Sequence, residues 1–312
     1  MTTSPPDERA APGTRASTER LMRRATYASM AVAIVLIFVK SVAWAMTGSV
    51  AMLSTLVDSV LDAAASLINL LAVRHSLQPA DREHRFGHGK AEPLAGLGQA
   101  MFIGASSLFL LYQAGQRFLE PQPVAQGAVG VGVMLLSIAL TIALVGFQRH
   151  VIRRTGSVAI SADSLHYASD LMVNGGVIVA MVLSVWFGLQ IADPVIAALI
   201  GLYILYSAAQ IAKGAYDQLM DREFGEADRG RIKEIVAAHP EVGGLHDLRT
   251  RMSGVQSFIQ FHIELDGQLP LAEAHRIADE VEAAVREAFP NAEIIIHQDP
   301  DDQEDDTPHF AA

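Results

Sequence analysis

The sequence predicts an α-helical membrane protein with six transmembrane helices, followed by a small α+β cytoplasmic domain of order αββαβ. The chain of 312 residues is 51% hydrophobic and only 18% charged, whereas a soluble domain averages about 25% charged residues. Its mean hydropathy is +0.28. The apolar residues are concentrated between 27 and about 215, and both ends are strongly polar. A membrane-embedded part therefore precedes a soluble one.

Six apolar segments have the length of a membrane-spanning helix, which needs about 20 mainly apolar residues. They are residues 25–46, 50–75, 92–118, 124–149, 158–187 and 191–213, within a predicted transmembrane domain of 21–215. The second and fifth carry the most polar residues, so we expect both to face the interior of the bundle. Residues 1–20 are rich in Pro, Ser, Thr and charge, and they lack the apolar core of a signal peptide. We expect a disordered tail there and a retained first helix.

Basic residues alternate between the connections and predict the orientation in the membrane. The N-terminal tail and the second and fourth connections carry Arg15, Arg20, Arg23, Arg24, Arg74, Arg82, Arg85, Lys90, Arg149, Arg153 and Arg154. The first, third and fifth connections carry no Lys or Arg. The positive-inside rule places the basic group in the cytoplasm. An even number of spans then puts both termini there.

The composition of residues 216–299 is that of a soluble domain. "EADRGRIKEIVAAHP" and "LAEAHRIADEVEAAVREAF" have helical periodicity. "LHDLRTRMSG", "QSFIQFHIEL" and "NAEIIIHQDP" are typical of strands, with a turn at Ser253-Gly254 between the first two. We predict a sheet with helices on one face. Residues 300–312 form an acidic tail that we expect to be disordered.

Charge and cysteine content exclude some partners and ligands. The net charge of −11 argues against nucleic-acid binding. Cysteine is absent, so a metal site in this chain has only imidazole and oxygen ligands.

Two predicted transmembrane helices carry paired metal-ligating side chains. Asp58 and Asp62 lie at i, i+4 in the second, and His166 and Asp170 repeat that spacing in the fifth. Residues at this spacing share a helix face. A carboxylate at the bilayer centre costs about 2.5–3.5 kcal/mol on insertion scales. If the two faces meet, three carboxylates and one imidazole suit tetrahedral Zn²⁺. The alternative is a set of proton-relay or helix-pairing groups without metal.

Two further sets of possible ligands lie outside the spans. Asp81, His84 and His88 occupy a loop bent by glycines, where a solvated polar loop without metal is the alternative. The cytoplasmic domain offers histidines on contiguous elements, with an acid two residues after the last: His246, His262, His275, His297 and Asp299. We interpret His239 as structural because it precedes a proline at a helix end.

Several motifs together resemble the cation diffusion facilitator (CDF) family, and within it the bacterial ferrous-iron and zinc efflux pumps. The motifs are "VDSVLD", "LHYASD", "HRFGHGKAE" and "IIIHQDP", and the similarity covers nearly all of residues 21–300. The resemblance implies six transmembrane helices, a metallochaperone-like cytoplasmic domain, a homodimer, and proton-coupled export of Zn²⁺ or related cations.

The resemblance also implies roles for matching residues. Asp58, Asp62, His166 and Asp170 match the transport site, and the loop trio matches a second metal site. The cytoplasmic set matches zinc sites at the dimer interface. Lys90 and Asp221 match a charge interlock, and Leu165 matches part of an apolar gate. This chain departs from the pattern at Arg82 and Glu83, where close relatives often have another acid and a polar residue.

We therefore predict a proton-coupled antiporter in the inner membrane that exports Zn²⁺ from the cytoplasm, with Fe²⁺ or Cd²⁺ as alternative substrates. Its partners are divalent cations, protons, lipid and a second copy of the chain. The alternative is a membrane-tethered metal sensor that transports nothing. We do not expect an enzyme, because four ligands close the coordination shell and no general base accompanies an open site.

Overall fold

The computed structural model describes residues 14–48, 50–119, 128–187, 189 and 191–301. The chain divides into two compact units, one spanning Arg20–Tyr216 and the other holding the C-terminal residues from Asp217 onward. Residues 1–13 and 302–312, which include most of both predicted tails, lie outside the described residues.

The first unit consists of six long helices. They are α1 Thr14–Thr47, α2 Val50–Ser76, α3 Ala91–Leu119, α4 Ala128–Thr155, α5 Val158–Phe187 and α6 Ala192–Leu219. Within the described residues, five of them (all but α5) are long and apolar enough to cross a membrane. Helix α5 has 30 residues, and at about 1.5 Å per residue this length also exceeds the hydrocarbon core of a bilayer. The predicted fold class is confirmed.

Helix ends differ from the predicted segment ends because polarity marks the membrane boundary and not the helix boundary. Helix α1 begins at Thr14, so the prediction of disorder over residues 14–20 is wrong. That stretch, "TRASTER", contains good helix formers and no Pro or Gly. Helices α4 and α6 likewise continue to Thr155 and Leu219, beyond their apolar segments.

Helix α5 packs against α2, α3 and α4. Glycine permits one close approach, since a Cβ at Gly96 on α3 would lie 2.8 Å from Val158 Cγ1. The first half of α5 is largely buried and includes Ile160, Asp163 and His166. The prediction that the fifth segment faces the bundle interior therefore agrees with the packing.

The second unit contains α7 Glu226–Ala237, β1 Gly244–Ser253, β2 Gln256–Leu265, α8 Leu271–Ala288 and β3 Ala292–Pro300, in the predicted order αββαβ. The sheet order is β1-β2-β3. Strands β1 and β2 are antiparallel, and β2 and β3 are parallel with α8 as the crossover. Gly254 has a φ of 60° in the β1–β2 turn, a conformation in which a Cβ is disfavoured.

The core of this unit lies between the helices and one face of the sheet. Ile259, Phe261 and Ile263 of β2 pack there with Ile277 and Val281 of α8. Successive strand residues point to opposite faces. The residues between them, including His262, therefore lie on the other face of the sheet, where a row of polar side chains can form.

Candidate metal centres

The intramembrane cluster consists of Asp62 on α2 and His166 and Asp170 on α5. One ligand atom from each of the three lies within 4.8 Å of the others. His166 Nε2 and Asp62 Oδ1 are 3.0 Å apart. His166 is 7% exposed, and the Asp62 side chain is 22% exposed. The two helix faces therefore meet in the bundle.

Asp58 is one turn of α2 away from Asp62 and is not part of that compact group. It lines the same cavity, whose volume is about 430 Å³. Lys40 of α1 also lines this cavity, and its Nζ donates to Ser59 Oγ at 2.6 Å and to the Thr55 carbonyl at 3.2 Å. The wall thus carries three carboxylates, one imidazole and one ammonium.

A buried polar hub beside this cluster was not assigned a role from the sequence. Asp163, one turn before His166, is 1% exposed. Its Oδ2 accepts from Ser29 Oγ at 2.5 Å and from Gln148 Nε2 at 2.7 Å, and its Oδ1 accepts from Gln99 Nε2 at 3.3 Å. These donors belong to α1, α4 and α3. Asp163 therefore ties the helix that carries His166 to three neighbours. The sequence signal for this hub is the presence of an acid, Asp163, within an apolar segment.

The loop cluster brings together Asp81, His84 and His88, whose ligand atoms also lie within 4.8 Å of one another. Asp81 Oδ1 is 3.4 Å from His84 Nδ1, and Asp81 Oδ2 is 3.3 Å from His88 Nε2. The backbone N–H of His84 donates to Asp81 Oδ1 at 2.6 Å and lowers the pKa of that carboxyl. A carboxylate held ionised in this way is ready to act as a ligand.

The cytoplasmic cluster is organised by the sheet register. His246, His262 and His297 are opposite one another on β1, β2 and β3. The Asp299 carboxylate contacts all three histidines. Its Oδ2 is 2.8 Å from His262 Nδ1 and 3.3 Å from His246 Nε2, and its Oδ1 is 3.2 Å from His297 Nε2. His246, His262 and Asp299 have ligand atoms within 4.8 Å of one another.

His275 is not brought to this cluster within one chain. It lies on α8, where its Nε2 is 3.7 Å from Asp279 and its side chain is 69% exposed. The histidine row occupies the face of the sheet that α8 does not cover. The predicted grouping of His275 with the other histidines is therefore not found in the single chain.

The remaining predicted residues have defined surroundings but untested roles. Leu165 packs against the apolar cluster of Ile103, Ile204 and Ala208. Lys90 and Asp221 belong to different units, and their interlock stays a prediction.

An ion network of the second unit lies away from the histidine row of the sheet. Arg276 donates to Glu241, Glu273 and Glu280, at 2.7, 2.8 and 2.6 Å. Its hydrogen bonds lower the pKa values of Glu273 and Glu280. His239 Nε2 is 3.2 Å from Glu280, in accord with its structural interpretation.

Two known protein families match consecutive parts of the chain. The cation efflux transmembrane domain matches residues 26–220, and the cation efflux protein cytoplasmic domain matches residues 225–301. The chain belongs to the cation efflux family. The predicted resemblance is confirmed, and the protein is a multi-span membrane transporter of divalent metal cations.

Related proteins match over almost the whole chain. The cation-efflux pumps FieF of Salmonella choleraesuis and Salmonella newport are each 51% identical to this chain over 281 residues, covering 90% of this chain and 93% of each relative. A solved zinc form of CzrB is 33% identical, covers 27% of this chain and 98% of its own, and superposes with a TM-score of 0.26.

Proposed function

We propose that this cation efflux protein is a proton-coupled antiporter that exports Zn²⁺ from the cytoplasm. The observation that carries the proposal is the contact between His166 and Asp62 among helices of membrane-spanning length, with Asp170 within reach of the same ion. Metal-ligating side chains are costly inside a membrane and are retained there for function.

Proton coupling follows from the chemistry of these ligands. A metal displaces protons from its ligands, and a proton on a ligand displaces the metal. His166 Nε2 can bind a metal only when it lacks a proton, and when protonated it donates to Asp62 instead. One site thus alternates between a divalent cation and protons. Exchange on opposite sides of the membrane converts a proton gradient into metal export.

Zn²⁺ is the substrate that the donor set favours. One imidazole and up to three carboxylates provide nitrogen and oxygen ligands in the number that tetrahedral Zn²⁺ uses. Asp58 supplies the fourth ligand after a movement toward the other three. Fe²⁺ and Cd²⁺ are alternative substrates, because the same ligands accept them with altered geometry.

The cytoplasmic domain serves assembly and metal sensing in this proposal. The chain acts as a homodimer in the inner membrane with both termini in the cytoplasm. Metal held by the His246, His262 and Asp299 cluster stabilises the folded dimer, since a ligand bound only to the native state adds to its stability. The chain is a transporter without enzymatic activity.

The experiment is metal uptake into proteoliposomes with inside-out protein and an acidic lumen. We expect Zn²⁺ uptake that depends on the gradient and falls at least about 100-fold in Asp62→Asn and His166→Gln, since each removes a ligand of the transported ion. His150→Gln, at an exposed histidine of α4, is the matched control and should transport normally.

Two results separate the alternatives. A rate of Zn²⁺ uptake that is the same with and without the pH gradient would contradict proton coupling. No uptake of Zn²⁺, Fe²⁺, Cd²⁺ or Mn²⁺ by folded protein, with metal still bound in the cytoplasmic domain, favours a membrane-tethered sensor.

A further inference from the structure

A fourth histidine stands beside the loop cluster. His75 lies in the last turn of α2, and its ring centroid is 4.6 Å from that of His88. The rings of His84 and His88 are also 4.6 Å apart. His88 therefore lies between two imidazoles, one from the helix and one from the loop.

This ring spacing is close to what shared ligation of one ion requires. With Zn–N bonds of about 2.0–2.1 Å and a tetrahedral angle, two imidazole centroids on one Zn²⁺ lie roughly 5 Å apart. The His246 and His262 rings of the cytoplasmic cluster are 5.1 Å apart. The tilt of 59° between the His75 and His88 rings excludes parallel stacking. His75 is not part of the compact group of Asp81, His84 and His88, so its exposed ring has to turn to direct a nitrogen toward the ion.

The His88 ring is buried, and one of its two nitrogens has no hydrogen-bond partner among the described residues. The His88 side chain is 5% exposed, and its Nδ1 has no hydrogen-bond partner among the described residues. A buried polar atom without a partner costs about 1–3 kcal/mol. Either imidazole nitrogen can ligate a metal. His88 Nε2 faces Asp81, so Nε2 is the nitrogen that would bind an ion shared with Asp81, because one imidazole gives one ion a single nitrogen.

The position of His75 adds electrostatic support. The carboxyl end of a helix carries partial negative charge and favours cations. Arg82 stands next to Asp81 and provides no ligand oxygen. An imidazole from α2 would add a fourth ligand to Asp81, His84 and His88 without adding a charge.

We propose that His75 completes a four-ligand site for Zn²⁺ or a similar divalent cation with Asp81, His84 and His88. A site with four protein ligands holds its metal, whereas three ligands leave an open position. The metal at this site fastens the end of α2 to the loop that leads into α3. The proposal concerns retained metal and does not depend on whether the transport site couples to protons.

The test measures Co²⁺ binding by the full chain in detergent, because four-coordinate Co²⁺ absorbs visible light more strongly than higher coordination numbers do. Asp62→Asn and Asp299→Asn in one background weaken the other two clusters. We expect this background to bind one tight Co²⁺ with a strong visible band. His75→Gln should weaken the band and raise the dissociation constant at least about tenfold. His150→Gln should change neither.

A second variant gives a direct signature of ligation. The chain has no cysteine, so a thiolate-to-cobalt charge-transfer band in His75→Cys can come only from position 75. We expect that band together with recovery of tight binding. Unchanged affinity and spectrum in His75→Gln, no charge-transfer band in His75→Cys, or no Co²⁺ bound by the background would each overturn the proposal. Absence of Zn²⁺ uptake by the wild-type chain, with these spectra intact in the variant background, would count against the transport proposal alone.

Discussion

The intramembrane and cytoplasmic clusters use the same two ligand types in opposite proportions. Between helices, one imidazole faces acids from α2 and α5. On the sheet, three imidazoles share one acid, Asp299. Carboxylates need a proton or a cation when water is excluded. Imidazoles can be buried neutral.

Under the proposed function, this difference separates a site that must exchange its metal from one that can retain it. A cluster rich in carboxylates, on helices that can shift, has an alternative occupant in the proton. A cluster rich in imidazole, fixed by strand register, has ligands at constant spacing and releases metal less readily. Experiments that act on only one cluster therefore test the division of roles.

The largest expected effect separates the two clusters directly. Asp299→Asn removes the acid that all three sheet histidines contact. We expect metal affinity of the cytoplasmic cluster to fall at least about 10–100-fold, since loss of a ligand costs no less than loss of a supporting group, with Zn²⁺ uptake at saturating metal retained. Competition titration with a chromophoric chelator on the full chain measures the affinity.

Asp279→Asn is the matched control, because that acid is exposed on α8 and contacts only His275 among the cluster candidates. An unchanged affinity in Asp299→Asn would show that Asp299 is not a ligand of the bound metal.

A smaller effect sharpens the membrane side of the comparison. Asp163→Ala removes the carboxylate that accepts from Ser29, Gln99 and Gln148. Ser29 Oγ keeps its bond to the Ala25 carbonyl and Gln148 Nε2 keeps its bond to Ser29 Oγ, so the variant weakens this buried network. We expect a loss of about 1–3 kcal/mol in the free energy of unfolding and a lower thermal unfolding temperature. Asp163→Asn keeps an acceptor oxygen and should recover part of the loss.

The control for this hub is Asp193→Ala, which breaks a partly exposed ion pair with Arg117. Such pairs contribute about 0–1 kcal/mol. Equal destabilisation by the two alanine variants would contradict the hub.

The smallest effect concerns the ion network of α8, on the side of the sheet opposite the histidine row. Arg276 lowers the pKa values of Glu273 and Glu280, so its contribution is present above their unfolded pKa. That contribution is lost as the pH falls through their lower folded pKa values. The difference in hydrogen-exchange protection of α8 between wild type and Arg276→Met should therefore be present at pH 6 and shrink below about pH 4.5. A difference that grows in acid would contradict this assignment.

The sequence was most informative where local spacing determines geometry. The i, i+4 pairs on α2 and α5 placed Asp62, His166 and Asp170 correctly on facing sides, and strand alternation anticipated His297 and Asp299 on one face. Amphipathic periodicity likewise predicted the order αββαβ.

Other contacts depend on which helix and sheet faces pack together, and residue spacing along the sequence does not specify this packing. The Asp163 hub needs donors from three other helices, 134, 64 and 15 residues away along the chain. His75 meets His88 only because the loop folds back on α2. His275 was grouped with the sheet histidines because it lies on a contiguous element and because the family resemblance implies it, but α8 covers the opposite face of the sheet.

The row of histidines across β1, β2 and β3 also has a consequence for folding. Because successive strand residues alternate between faces, a slip of one residue in either strand pairing would turn a histidine toward the apolar core. Only the native register presents all three imidazoles to Asp299. A metal ion held there would stabilise correctly paired chains and give no such support to misregistered ones, so metal supply during synthesis would influence the yield of native protein.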